Sequence, residues 1–390
     1  MTLVKNLNGA LPLSKAKVRT VAAVGPHCNA TLALQSNYHG TAPYLVSPAA
    51  GLAKYASVAT ELGCAIGQCK GCHPKDSAPE AEQADATDAP PSIPRAAALA
   101  ASSDATVLLV GLDGTVEGEG HDRFGIDLPG NQSQLVLEVS KAAKGPVVVV
   151  FIGGGCVDMA AIKASPHVDA ILIAGYPSQE GGNAIAQTIF GDNNPAGRLT
   201  QTWYASDFIE RCSMFDMNMR PNQTTGCPGR THRFFSGTPV FAFGEGMGYS
   251  RMEYSAVTAR VAGSEPDGLP RLGVAALDAD VELHQHRPHL APAVLHLQVD
   301  ITNAGPLDGD EVVLVMVRPP PGHHAAGAPA QSLRNYERVS LPAGGTATVS
   351  FGLTAHDLAF AKQGGAISAA AGDWRVQVGD AEPVAVRVEE

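Results

Sequence analysis

No apolar run in this 390-residue chain approaches the ~20 residues that a helix needs to cross a bilayer, so a helical membrane span is excluded. Positive charge is also in short supply. Lys and Arg number 27 against 38 Asp and Glu, a formal net charge of −11, and a surface of that sign repels polyanions, which argues against nucleic acid as a partner. There is no G-x-S-x-G elbow, which argues against a serine hydrolase of the α/β type. There is no G-x-x-x-x-G-K-[ST] either, and a G-x-G-x-x-G frame begun at Gly153 meets Asp158 where glycine is required. Gly153-Gly-Gly155 therefore reads as a tight strand-to-helix turn rather than a phosphate cradle. The opening Met1-Thr-Leu-Val-Lys-Asn lacks the charged-then-apolar pattern of a secretory signal segment.

What is present is an ordinary globular balance, 45% hydrophobic and 17% charged, with 42 Gly and 28 Pro that call for many turns. The length suits two domains better than one. Seven cysteines are many for a cytosolic enzyme, and the odd number implies at least one free thiol or an intermolecular bond. Cys64, Cys69, Cys72 and His73 crowd into one short stretch, whereas a structural zinc site takes two separated ligand pairs. Disulfide pairing within the cluster, or with another cysteine, is the expectation, and no metal or cofactor is expected. Three N-x-[ST] tripeptides, at Asn29, Asn131 and Asn222, are glycosylation candidates.

From about residue 18 to 200, short apolar runs alternate with helix-like segments. Strands are expected at 18–25, 105–111, 146–153 and 168–175, and helices after Ser47-Pro48, over 131–144 and over 180–190 up to Gly191. Unbroken β-branched runs indicate strands buried on both faces, so the expectation is a three-layer α/β sandwich with a mostly parallel sheet. Residues 257–292, rich in Pro, Gly, His and Asp, read as an irregular connection, and His284, His286 and His289 within it are given no role. Strict alternation then begins at Val294 and recurs at 311–317, 347–351 and 374–378, as in a small antiparallel β-sandwich.

The most pointed chemistry is Gly111-Leu-Asp-Gly-Thr-Val-Glu-Gly-Glu-Gly-His-Asp-Arg123, leaving the C-terminal end of an expected central strand, where open α/β sheets bind ligands. Glu117 and Glu119 flank a single glycine, and Asp122-Arg123 can supply an ion pair that holds the loop. The same pattern also suits a solvated acidic surface loop. Asp207, Asp216 and Arg220 fall in a loop-rich stretch and read as structural ion pairs, and Trp203 reads as core.

A series of motifs runs in order along the chain: V-A-A-V-G-P-H-C-N-A-T (21–31), N-Y-H-G-T-A-P-Y (37–44), E-G-E-G-H-D-R (117–123), L-P-G-N-Q (128–132), A-G-Y-P-S-Q-E-G-G (174–182) and G-D-N-N-P-A-G-R-L (191–199). It continues with T-W-Y (202–204), D-M-N-M-R-P (216–221), P-G-R-T-H-R-F-F (228–235), F-G-E-G-M-G-Y-S (243–250), V-D-I-T-N-A-G-P-L-D-G-D-E-V-V-L (299–314) and N-Y-E-R-V (335–339). This series resembles the C-terminal part of glycoside hydrolase family 3, in its plant-type β-xylosidase/α-L-arabinofuranosidase branch. The resemblance implies an α/β sandwich domain over 1–254 carrying an acid/base loop and a fibronectin type III-like domain over 293–390; it is weakest over 73–93 and 257–292, and the composition makes 255–292 an irregular linker between the two.

The resemblance also implies a retaining exo-acting glycosidase mechanism on xylan or arabinoxylan oligosaccharides. An Asp nucleophile would come from an N-terminal (β/α)8 barrel, and the general acid/base from the E-x-E-G-x-D-R loop, on Glu119, with Glu117 the fallback. Retention needs two carboxyl groups ~5–5.5 Å apart, one attacking the anomeric carbon and one protonating the leaving oxygen. The barrel's S-D-[CW] motif has no counterpart here, since Ser103-Asp104-Ala105 and Ser206-Asp207-Phe208 do not fit it. The expectation is a chain that supplies the acid/base but no nucleophile, with an oligosaccharide and a barrel domain as its partners, and an extracellular or cell-wall location. The alternative is a non-catalytic carbohydrate-binding or scaffold protein derived from such an enzyme.

Overall fold

The structure is a computed structural model that describes residues 1–67, 90–120, 122–264, 268–323, 327–362 and 364–390. The described residues form two compact units, Met1–Glu210 with Thr238–Tyr249, and Arg211–Gly237 with Ser250–Glu390.

The first unit is built on six strands: β1 (Thr2–Asn6), β2 (Thr20–Val24), β3 (Ser57–Glu61), β4 (Ala105–Gly111), β5 (Val147–Ile152) and β6 (Ala170–Gly175). Their order across the sheet is β1-β6-β5-β4-β2-β3, all parallel except β1, which lies antiparallel to β6. Every residue of β4 and β5 is buried, as the unbroken apolar runs required. Helices α1 (Pro48–Leu52), α2 (Ile93–Ser102), α3 (Gln132–Ala142), α4 (Ala160–Ala164) and α5 (Gly181–Ile189) cover the two faces. Alternate strand residues sort accordingly. Leu108, Val110 and Val149 pack with α2, α3 and α4, while Val107, Leu109 and Val150 pack with α1 and α5. This is the expected three-layer sandwich. Ser47 caps α1 by accepting a hydrogen bond from the Ala50 amide at 3.2 Å, with Pro48 in the first turn. Trp203 is core, edge-on to Phe151 and Phe241.

The strand order sets the functional edge. After β2 the chain builds outward to β3, then returns to the other side of β2 with β4 and continues to β5 and β6. The reversal lies between β2 and β4, and the loops leaving the C-terminal ends of these two strands stand at the position where open α/β sheets bind ligands.

A one-turn helix, α6 (Phe208–Arg211), spans the point where the chain leaves the first unit, and α7 (Thr231–Phe234) lies in the second. The second unit then adds β7 (Met252–Tyr254), β8 (Thr258–Val261), β9 (Arg271–Gly273), α8 (Val274–Leu283), β10 (Leu295–Asn303), β11 (Gly309–Arg318), β12 (Ser332–Leu341) and β13 (Thr346–Leu353). It ends with β14 (Ala359–Ala361), β15 (Ile367–Ala369), β16 (Gly372–Val378) and β17 (Val384–Glu389). One sheet joins β13, β10, β7 and β8, and another runs β12-β11-β16-β17-β9. All pairings are antiparallel except β17 with β9. Trp374 is buried in this core together with Val299, Val315 and Val376.

Three expectations about chain organisation change. Residues 255–292 are not an irregular linker: β8, β9 and α8 lie there, and Leu277 and Val281 of α8 are buried in the second core. Residues 211–237 group with the second unit rather than with the sandwich. Arg220 makes no ion pair with Asp216. It lies over the Phe234 ring and donates to the Gly327 carbonyl, while Asp216 accepts from the Asn218 amide.

A disulfide joins Cys212 to Cys227. Cys64 and Cys28 are free, buried thiols and Cys156 is free and half-buried, so free thiols are present among the described residues. Burial pushes the Cys64 thiol up to about 11. Cys69, Cys72 and His73 lie outside the described residues.

Candidate active-site loop

The loop that follows β4 is held at its base by its own backbone. The Asp113 carbonyl accepts from the amides of Val116 and Glu117, and its carboxylate accepts from the Thr115 amide at 2.9 Å. Val116 is driven into the core, 1% exposed, and anchors the loop at that point. The two glutamates that follow have opposite surroundings.

Glu117 is saturated. Its Oε1 accepts from the Gly154 amide at 2.7 Å and from the Tyr176 hydroxyl at 2.7 Å. Its Oε2 accepts from the Gly155 amide at 3.1 Å and faces Arg123 Nη2 at 3.6 Å. Arg123 also donates to the Cys156 carbonyl at 3.2 Å. The ion pair of Arg123 thus runs to Glu117 and not to its sequence neighbour Asp122, which is exposed. Burial first, and then the bond to Glu117, push the Tyr176 phenol far above its ordinary range.

Glu119 is exposed, and Gly120 beyond it takes a φ of +76°, a turn that favours glycine. Its one hydrogen-bond partner among the described residues is the Tyr38 hydroxyl, which donates to Oε2. That bond raises the Tyr38 phenol above its ordinary value. Tyr38 stands in the loop after β2, so the two residues meet across the reversal point of the sheet. An exposed carboxyl with a single phenolic partner can give or take a proton with a group arriving from solvent. Glu117 can do so only by surrendering its bonds.

Further on, Ser206 Oγ donates to Asp127 Oδ1 at 2.5 Å and lies 2.9 Å from Asp158 Oδ2, which ties the end of the loop to the chain after β5. Sequence reasoning named Glu117, Glu119 and Arg123 but gave Tyr38 and Tyr176 no role, and read Gly154 and Gly155 only as a strand-to-helix turn. The usable signal was position: all four follow the C-terminal ends of parallel strands. Among the sequons, Asn131 is exposed just before α3, while Asn29 and Asn222 are half-buried. Among the described residues, no three His, Cys, Asp or Glu side chains gather as a metal site.

A mostly parallel sandwich with an acidic loop at its reversal point, joined to an antiparallel β-rich unit, is the domain pair found in the C-terminal part of one protein family. The chain belongs to glycoside hydrolase family 3. Residues 1–249 match the glycosyl hydrolase family 3 C-terminal domain, and residues 311–382 match the fibronectin type III-like domain. The chain is 36% identical over 390 residues to beta-xylosidase/alpha-L-arabinofuranosidase 2 of Medicago sativa subsp. varia, covering 100% of this chain and 47% of the relative. It is 34% identical over 393 residues to beta-D-xylosidase 3 of Arabidopsis thaliana, covering 97% and 47%. Among solved structures, the GH3 exo-beta-xylosidase XlnD in complex with a xylobiose aziridine activity-based probe superimposes with a TM-score of 0.81 at 30% identity, covering 100% of this chain and 47% of that one. The chain therefore spans about half the length of the curated relatives it matches.

Proposed function

We propose that this chain is the acid/base-bearing half of a retaining exo-glycosidase of the β-xylosidase/α-L-arabinofuranosidase type, with Glu119 as the proton donor. The observation that carries the reading is the contrast within one loop: among the described residues Glu119 is exposed at the sheet's reversal point with one phenolic partner, whereas Glu117 is consumed by three hydrogen-bond donors and the Arg123 ion pair. Glu119 protonates the leaving glycosidic oxygen, then removes a proton from the water that releases the sugar. The nucleophile and most sugar contacts belong to an N-terminal barrel, the part of the relatives that this chain does not span. Two large apolar side chains on the site loops, Tyr38 at 76% and Phe124 at 58% exposure, suit a face that such a domain covers. The substrate is a xylo- or arabino-configured oligosaccharide, as the names of the relatives suggest. The Cys212–Cys227 disulfide and the three sequons support an extracellular location.

The test compares the chain alone with the same chain carrying the N-terminal half of the Medicago relative, on aryl β-D-xylosides. The chain alone should give background rates and the joined protein should hydrolyse. E119Q in the joined protein should lower kcat by about 10²–10⁴-fold for poor leaving groups and far less for good ones, as loss of a general acid does. Turnover by the chain alone that E119Q abolishes would overturn the two-part reading. Full activity of the joined E119Q protein would overturn the assignment of Glu119.

A further inference from the structure

We propose that Glu117 is a positioning residue: its carboxylate, seated on the Gly154 and Gly155 amides, the Tyr176 hydroxyl and Arg123, locks the loop so that Glu119 is presented to Tyr38 at the reversal point of the sheet. This rests on the reading of Glu119 as the proton donor and adds what holds it there. Among the described residues Glu119 itself has one partner, on another loop, and glycines stand on both sides of it, which leaves its direction to be set from elsewhere. The nearest fixed points are Val116, buried in the core, and Glu117, two residues before Glu119.

The seat of Glu117 is drawn from two further strand ends. Gly154 and Gly155 follow β5, and Tyr176 follows β6. Consecutive backbone amides turned toward one carboxylate make an anion nest. The glycines are needed for close approach. A Cβ on Gly155 would lie 2.3 Å from Arg123 Nη2 and 2.8 Å from Glu117 Oε2, and one on Gly154 would lie 3.2 Å from the Tyr176 ring. The triple-glycine turn, which resembles a nucleotide motif without completing one, thus receives an anion that the protein itself supplies. Four loops, from β2, β4, β5 and β6, are joined through the two glutamates. Placing a catalytic group within tenths of an ångström is where much of an enzyme's rate resides, and small displacements cost orders of magnitude.

The test reads the geometry without requiring turnover. In the full chain labelled with [13Cζ]tyrosine, the Tyr38 resonance, assigned with Y38F, is titrated between pH 9 and 11.5. In the wild type its phenol should titrate above the ordinary value because it donates to Glu119. E119Q should bring it back toward the ordinary value and sets the scale. G155A leaves every charge in place but pushes the carboxylate from its seat, and E117A removes the carboxylate. Both should move Tyr38 in the same direction as E119Q, by at least half as far, although neither site touches Tyr38. In a W374F background, unchanged Trp203 fluorescence certifies the fold, and G155A decides the matter where E117A fails to fold. A wild-type Tyr38 titration in G155A would overturn the proposal, as would an E119Q variant that leaves Tyr38 unmoved. Neither result bears on whether E119Q slows hydrolysis in the joined protein, so the proton-donor reading stands or falls separately.

Discussion

Removing the side chain of Gln132 should destabilise the first unit by about 3–5 kcal/mol, a large share of the ~5–15 kcal/mol that holds a typical domain together. Gln132 is fully buried at the first turn of α3, and its amide clamps the end of β4. Its Oε1 accepts from the Gly111 amide at 2.7 Å, while its Nε2 donates to the carbonyls of Gly111 at 2.9 Å and Pro129 at 3.1 Å. Q132A leaves three backbone groups without these partners, and each orphaned group costs about 1–3 kcal/mol, less where water enters. Q132E keeps the shape but sets a carboxylate oxygen against two carbonyls. Burial raises the pKa of such a carboxyl, so the folded state holds a proton that the unfolded state releases, and stability should recover as the pH falls. The chain has two tryptophans, Trp203 in the first unit and Trp374 in the second, so a W374F background lets fluorescence report urea unfolding of the first unit alone. A Q132A loss below about 1 kcal/mol, or a Q132E stability that rises with pH, would refute the clamp.

Two further outcomes can be measured the same way. Replacing Cys212 and Cys227 together by alanine opens a loop of sequence separation 15 and should cost the second unit about 3 kcal/mol, read by Trp374 in a W203F background. Asp104 accepts the Arg19 amide at 2.8 Å and the Thr20 amide at 2.9 Å, and these bonds hold its carboxyl below the usual range. Its folded value is lower than its unfolded one, so its stabilisation is complete above the unfolded carboxylate range and is lost as the pH falls through the folded value. The acid-side decline in the unfolding midpoint should therefore be shallower in D104N than in the wild type.

The central strands were legible because burial on both faces leaves an unambiguous trace: Ala105–Gly111 and Val147–Ile152 contain no charged residue and a single hydroxyl, that of Thr106. The edges were not. β1 and β3 are short and carry Lys5, Asn6 and Glu61, so their sequences lack both an unbroken apolar run and a clean alternation. The helix α8 escaped notice because only Leu277 and Val281 of its ten residues are buried, in a stretch crowded with turn formers. At the site, the two glutamates announced themselves by spacing along one loop. Their partners did not, because Gly154, Gly155 and Tyr176 stand 37 to 59 positions away and are brought in by the sheet. The ion pair of Arg123 failed to follow adjacency for the same reason: the guanidinium turns inward to the carboxylate already seated there. Cys212 and Cys227 bracket a motif quoted for its resemblance, and nothing in their spacing marked them as a bridge.

The polypeptide passes from one unit to the other at residues 210/211, returns at 237/238 and leaves again at 249/250. Neither body is thus a continuous stretch of sequence. A terminal truncation before Ser250 would strand the bridged segment 211–237 with a partner core it does not belong to, and residues 250–390 expressed alone would lack it. A single crossover therefore cannot exchange the second body for a relative's intact copy, and a chimera that keeps both cores whole needs three junctions, near 210/211, 237/238 and 249/250.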